Sequence, residues 1–258
     1  VMVVKAHGLL AVTQGGLVPS IPAPLDPAPR AGLQHVVNRT RRITMKTSKS
    51  LLVGGALAGP FFTVAWLAGG ALTGRYDPLR HHISMLVLGE VGWLQTASFL
   101  VCGLLIVGFS IGLRRSVKAL WGPLLIALSG VGLVGAGAFA TDPANGFPPG
   151  SPPLPLEPTT SGTLHNLFAA LFIFGVPLAA AGFAWTFAKL TQRAWMLYSA
   201  LSCAAVFVLF LAGPTVFGGA GLFGLQQRIG ITLALVWLTA LAVHTLITPP
   251  TSRREPRT

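Results

Sequence analysis

The chain has 258 residues, 52% of them hydrophobic and only 9% charged, far below the roughly 25% charged content of a soluble domain that must keep its surface in water. Its 18 Lys and Arg outnumber 6 Asp and Glu, for a formal net charge of +12. The bases lie in short clusters between apolar runs, with no aromatic-interleaved basic domain, which excludes a surface built to track nucleic acid. An all-α, polytopic integral membrane protein is the class that remains.

Residues 1–48 hold PSIPAPLDPAPR and the basic run NRTRRITMKTSK, without sustained apolar periodicity. The piece GLLAVTQGGLV is too short and too broken to span, and its basic cluster follows it instead of preceding it, so a cleaved secretory signal is not expected. The tract reads as a disordered basic cytoplasmic tail. Contact of its basic end with anionic lipid is the alternative.

Six apolar segments follow, at about 51–72, 93–113, 120–140, 164–188, 194–213 and 225–247, each near the 20 or so residues that cross a hydrocarbon core. The domain plan is a tail over 1–48, a six-transmembrane-helix bundle over 49–248 and a short cytoplasmic tail over 249–258. Of the Lys and Arg, 15 fall on the side shared by the two termini and three, Arg75, Arg80 and Arg228, on the other. By the positive-inside rule both termini are cytoplasmic, in a cell membrane. The connections RRSVKA and TQR are short, which makes the second and third helices, and the fourth and fifth, antiparallel neighbours. Cys102 and Cys203 each lie alone in an apolar segment without a CxxC and read as small buried residues.

The longer connections, on the extracytoplasmic side, carry the polar residues. In TGRYDPLRHHISMLVLGEVGW, Asp77 before Pro78 is a helix-start signal, and a short helix over 78–88 would lie on the membrane surface. Asp77 and His81, four apart, could then pair as acid and imidazole. The second connection, FATDPANGFPPGSPPLPLEPTTSGTLHNLF, reads as Asp142 closing the third helix, turns, a polyproline-like stretch and Thr/Ser caps. His165 falls in the first turn of the fourth helix, where the positive dipole end favours a neutral ring. The third connection leads into Gln226, Gln227 and Arg228. Arginine keeps its charge, so it needs a carboxylate, carbonyls, lipid phosphate or water; Asp142 and Asp77 are the first partners to test.

The candidate outer-face site is therefore Asp77, His81, Asp142, His165, Gln227 and Arg228. His81, His82, His165 and Asp142 are zinc-compatible ligand types, but they come from separate connections without a motif such as HExxH, and no metal is expected. Nothing in the sequence names a cofactor.

The layout, with GP in the first helix, YDPLRHHISML after it, ATDPA ending the third, GTLHNLFA opening the fourth and GLFGLQQRIGI opening the sixth, resembles the domain-of-unknown-function 998 family of bacterial integral membrane proteins. That resemblance covers about residues 50–247 and implies a six-helix membrane domain. It supplies no substrate, cofactor or catalytic residue. The expected function is binding of a small molecule or lipid headgroup at the extracytoplasmic polar pocket, with the bilayer as environment. A membrane-embedded hydrolase of lipid or another membrane substrate, with or without a metal, is one alternative, and a small-solute transporter is the other.

Overall fold

The computed structural model describes residues 27–248 except 118, 155, 156 and 219, with side chains from residue 48 onward. The chain divides into two compact units, Val1–Ile43 and Thr44–Thr258. In the first, the described backbone is helical from Pro27 and opens α1, Pro27–Leu72, with proline at a first-turn position that has no helical bond to lose. The rest of the expected N-terminal tail and the whole of the 249–258 tail lie outside the described residues.

The second unit holds six helices long and apolar enough to cross a membrane: Ser48–Leu72 of α1; α2, Gly92–Ser116; α3, Trp121–Ala138; α4, Thr160–Lys189; Arg193–Gly218; and α7, Phe223–Ile247. The fifth consists of α5, Arg193–Leu211, and a short α6, Gly213–Gly218. The break falls at Ala212, two residues before Pro214, which has no N–H to carry the helical ladder onward. These spans are apolar on all sides, as lipid-facing helices must be; Leu57, Leu104, Trp185 and Leu201 are 55–68% exposed. The protein is an all-α, multi-pass membrane protein.

Packing proceeds in chain order from α2 through α5, and α7 returns to touch α5, α4 and α2. The short-loop neighbours α2–α3 and α4–α5 are in contact as the loop lengths require. Without a hydrophobic drive between helices in lipid, close backbone approach supplies the attraction. At the α2–α3 crossing, a Cβ on Gly103 would lie 2.7 Å from the Gly130 carbonyl and one on Gly130 2.8 Å from the Gly103 carbonyl. A Cβ on Gly55 would lie 2.4 Å from Cγ of Phe109, and one on Gly59 2.6 Å from Oγ1 of Thr239, so α1 packs against both α2 and α7. Phe62, Phe109, Phe183 and Trp237 fill the interior. The buried Trp237 indole N–H donates to Ser199 Oγ at 3.1 Å, tying α7 to α5.

Candidate functional site

Three connections, 73–91, 139–159 and 212–222, gather at one end of the bundle. In the first, Asp77 Oδ1 accepts the Leu79 N–H at 2.9 Å and the Asp77 carbonyl accepts the His81 N–H at 2.8 Å. One turn forms there and stops. His82 is extended (φ −62°, ψ 151°), and a 3-10 helix, Ile83–Leu88, follows. The continuous 78–88 helix predicted from sequence is absent because α7 takes both ends of one of its bonds. The Ile83 N–H donates to Gln227 Oε1 at 2.7 Å, and the Leu79 carbonyl accepts the Leu225 N–H at 3.0 Å. One orphan donor of the α7 N-terminus is thereby satisfied.

His81 is buried at 6% exposure. Its Nδ1 accepts the Asp77 backbone N–H at 2.9 Å, which assigns the ring proton to Nε2, and Nε2 donates to the Asn145 carbonyl at 3.1 Å. The acid–imidazole relation expected of Asp77 and His81 is thus made through the Asp77 backbone, while its carboxylate faces Leu79 and an exposed Arg80 at 3.5 Å. Burial lowers the His81 pKa. Burial, followed by the charge on Arg228, lowers His82 to about 4.

The Asn145 carbonyl is placed by turn chemistry. Asn145 (φ 52°) and Gly146 (φ 77°) both have positive φ, and Ala144 and Phe147 exchange backbone bonds at 3.2 and 2.9 Å around them. Asn-Gly adopts such two-residue turns at little cost. Phe147, 2% exposed, meets the Tyr76 ring edge-on at 5.4 Å and the His81 ring at 5.2 Å.

Arg228, 7% exposed, occupies the second turn of α7. Its Nη1 donates to the His81 carbonyl at 2.8 Å and the Gly224 carbonyl at 3.0 Å. Its Nη2 donates to Tyr76 Oη, and that hydroxyl donates to the His82 carbonyl at 2.9 Å. The guanidinium carbon lies 5.2 Å from the Trp66 ring centre and 5.5 Å from that of Tyr76, within cation–π range. Burial, ahead of the opposing influence of Arg228, raises the Tyr76 pKa and keeps it a phenol. Among the described residues no carboxylate pairs with Arg228, neither Asp77 nor Asp142, and its Nε makes no hydrogen bond. Beside it is a recess of about 190 Å³ lined by Trp66, Leu67, Gly70, Ala71, Pro78 and Arg228.

Asp142 and His165 do different work. The two oxygens of Asp142 accept the Thr159 hydroxyl at 2.6 Å and its N–H at 3.1 Å, while Thr159 Oγ1 caps α4 by accepting the Gly162 N–H at 3.0 Å. His165 Nδ1–H is shared between the Ala136 and Phe139 carbonyls, each at 2.9 Å, closing the end of α3. No hydrogen bond or ion pair among the described residues joins either of them to Gln227 or Arg228. Gln226 donates to the Leu209 carbonyl at 2.7 Å and closes the end of α5. Among the described residues no three His, Cys, Asp or Glu side chains gather as a metal shell. The zinc-type residues His81, His82, His165 and Asp142 are distributed as described.

The sequence reading missed Tyr76, Trp66 and Asn145. Asn-Gly was visible as a turn, and Tyr76 adjoins the Asp-Pro signal, but nothing marked either as a partner of His81 or Arg228. At the opposite end, His244, which has no partner legible in sequence, stacks against Trp195 with ring centres 4.1 Å apart.

The family described as "Protein of unknown function (DUF998)" matches residues 56–244. No curated protein and no solved structure matches the chain.

Proposed function

Because the chain belongs to the DUF998 family, whose description carries no activity, we propose from its own geometry that it is a membrane binding protein. The ligand, a small molecule or lipid headgroup, occupies the recess beside Arg228. The observation that carries this reading is a buried guanidinium with no carboxylate partner and an enclosed Nε that bonds to nothing in the protein, in a side chain that lines the recess. A cation held this deep is costly, and a purely structural arginine would be expected to spend its donors on the protein.

An enzyme reading is less well supported by the same contacts. Both nitrogens of His81 are engaged by backbone groups, Nδ1 of His165 is shared by two carbonyls, and both oxygens of Asp142 are held by Thr159. The hydroxyl that Asp142 holds, Thr159 Oγ1, is taken up as the cap of α4 by the Gly162 N–H, which leaves it poorly placed for the general acid–base catalysis an enzyme would need. The distribution of Lys and Arg supports placement of the recess on the extracytoplasmic face of a cell membrane, with both termini inside.

The test is mass spectrometry of what accompanies the purified protein. Wild-type protein should carry a low-mass species that is depleted in Arg228→Gln purified identically. The same extract from both proteins would count against a ligand at this recess.

A further inference from the structure

Building on the binding reading, we infer that the ligand is an amphiphile with a net anionic head, a phosphate or carboxylate, that enters Arg228's recess sideways from the bilayer.

The donor count points to the head. A guanidinium has five N–H donors, and three are spent on His81, Gly224 and Tyr76. What remains is the Nε–H, enclosed by the protein and without a partner in it, and one hydrogen of Nη2. Those two nitrogens share an edge of the guanidinium plane, the edge whose paired N–H groups match two oxygens of a carboxylate or phosphate. The groups already bound to Arg228 are neutral: two backbone carbonyls and a phenol. The nearby His81 ring is held neutral by the N–H it accepts, burial lowers the pKa of His82, and Asp77 faces Leu79 and Arg80. The Arg228 guanidinium reaches back to the Gly224 carbonyl in the first turn of α7, where the partial positive charge of the helix N-terminus adds to its own. The recess therefore lies against uncompensated positive charge, with two guanidinium donors beside it that the protein leaves unspent. A zwitterionic head would bring a second cation for which the lining offers no acid.

The walls point to the tail. Four of the six lining residues, Trp66, Leu67, Gly70 and Ala71, belong to the last two turns of the first span, and Leu67 and Ala71 are exposed on its apolar surface. Trp66 is six residues before the end of α1 at Leu72, about 9 Å along the axis at 1.5 Å per residue. Arg228 is five residues after the start of α7 at Phe223, about 7–8 Å along it, and its side chain reaches back toward Gly224. A headgroup layer is about 5–8 Å thick, so the guanidinium meets the boundary between heads and acyl chains. The recess, at about 190 Å³, is smaller than the roughly 300–1,000 Å³ that encloses a drug-sized ligand. It is suited to a head and the first carbons of a chain, with the remainder lying along Leu67 and Ala71 in the bilayer.

The test uses the full chain in nanodiscs or mild detergent, with binding read by native mass spectrometry against added phosphatidylglycerol, phosphatidylcholine and inorganic phosphate. Phosphatidylglycerol should bind about ten-fold or more tightly than phosphatidylcholine, whose choline adds a second cation beside Arg228 with no acid to receive it, and inorganic phosphate should not displace it. Arg228→Gln should remove that preference. Because Arg228 also braces the loop, Ala71→Trp provides a second arm: it fills the recess from an exposed position and should weaken phosphatidylglycerol binding without lowering the melting temperature of the lipid-free protein. Equal binding of the two lipids, or full phosphatidylglycerol preference in both variants, overturns the inference. Displacement by inorganic phosphate would overturn the amphiphile while leaving a ligand at the recess, whereas loss of every Arg228-dependent species would remove the binding reading as well.

Discussion

A second positive charge beside Arg228 would have no carboxylate to receive it, and the histidines there are held neutral. His81 spends Nδ1 as an acceptor for the Asp77 N–H; a proton on that atom would set donor against donor. His82 has its pKa depressed to about 4 by burial first and Arg228 second, against about 6.5 in an unfolded chain. Both folded values are therefore below the unfolded value. Stability from these rings is fully present above about pH 6.5 and falls as pH drops toward 4, by at most about 1.4 kcal/mol per pH unit for His82. Melting of the detergent-solubilised protein should accordingly shift downward between pH 7 and 5, and His82→Gln should flatten the curve. A wild-type profile that is level or rises on acidification would contradict this assignment. At this scale the sequence marked His81, Gln227 and Arg228 as residues at one end of the bundle, but it did not reveal how they are joined. The partners of Arg228 are backbone carbonyls and aromatic groups, which carry no charge signature, so a search for its counter-ion turned to Asp77 and Asp142. Those acids are instead engaged by N–H and O–H groups near them.

Elements are more legible than contacts because crossing a bilayer imposes length and apolarity on every span. The six predicted segments differ from the observed helices by a few residues at most ends, and the differences have local causes: α4 starts at Thr160 because Thr159 supplies its cap, and the fifth span continues past 213 through α6 to Gly218. The 78–88 helix does not form despite its local start signal, because the Leu225 N–H and Gln227 side chain of α7 claim the bonds that would have continued it. Helix pairing rests on small residues, and the α2–α3 crossing is the sharpest case. Gly130→Val would drive a side chain into the Gly103 carbonyl and Val107 and should destabilise by about 1–3 kcal/mol as overpacking does. Gly74→Ala, where an added Cβ meets nothing within 4 Å, should stay within about 0.5 kcal/mol of wild type. Thermal unfolding of the two variants in the same detergent distinguishes them; equal stability would remove the close crossing as a source of cohesion.

For the molecule as a whole, hydrocarbon surrounds six apolar helices, and the polar chemistry collects where three connections meet at one end. Membership of the family and the helical architecture were legible from the order of short motifs and the span count. The recess was not, because it depends on the spatial meeting of Trp66, Pro78 and Arg228 from distant parts of the chain. Its proposed access to extracytoplasmic lipid depends on how the chain is threaded. Cysteines placed at the exposed Arg80 and Glu157, and separately at Arg193 at the other end, in a chain with Cys102 and Cys203 replaced by Ala, report that threading directly. A membrane-impermeant maleimide should label positions 80 and 157 on intact cells and position 193 only after permeabilisation; labelling of 193 on intact cells, or of 80 only after permeabilisation, would contradict it.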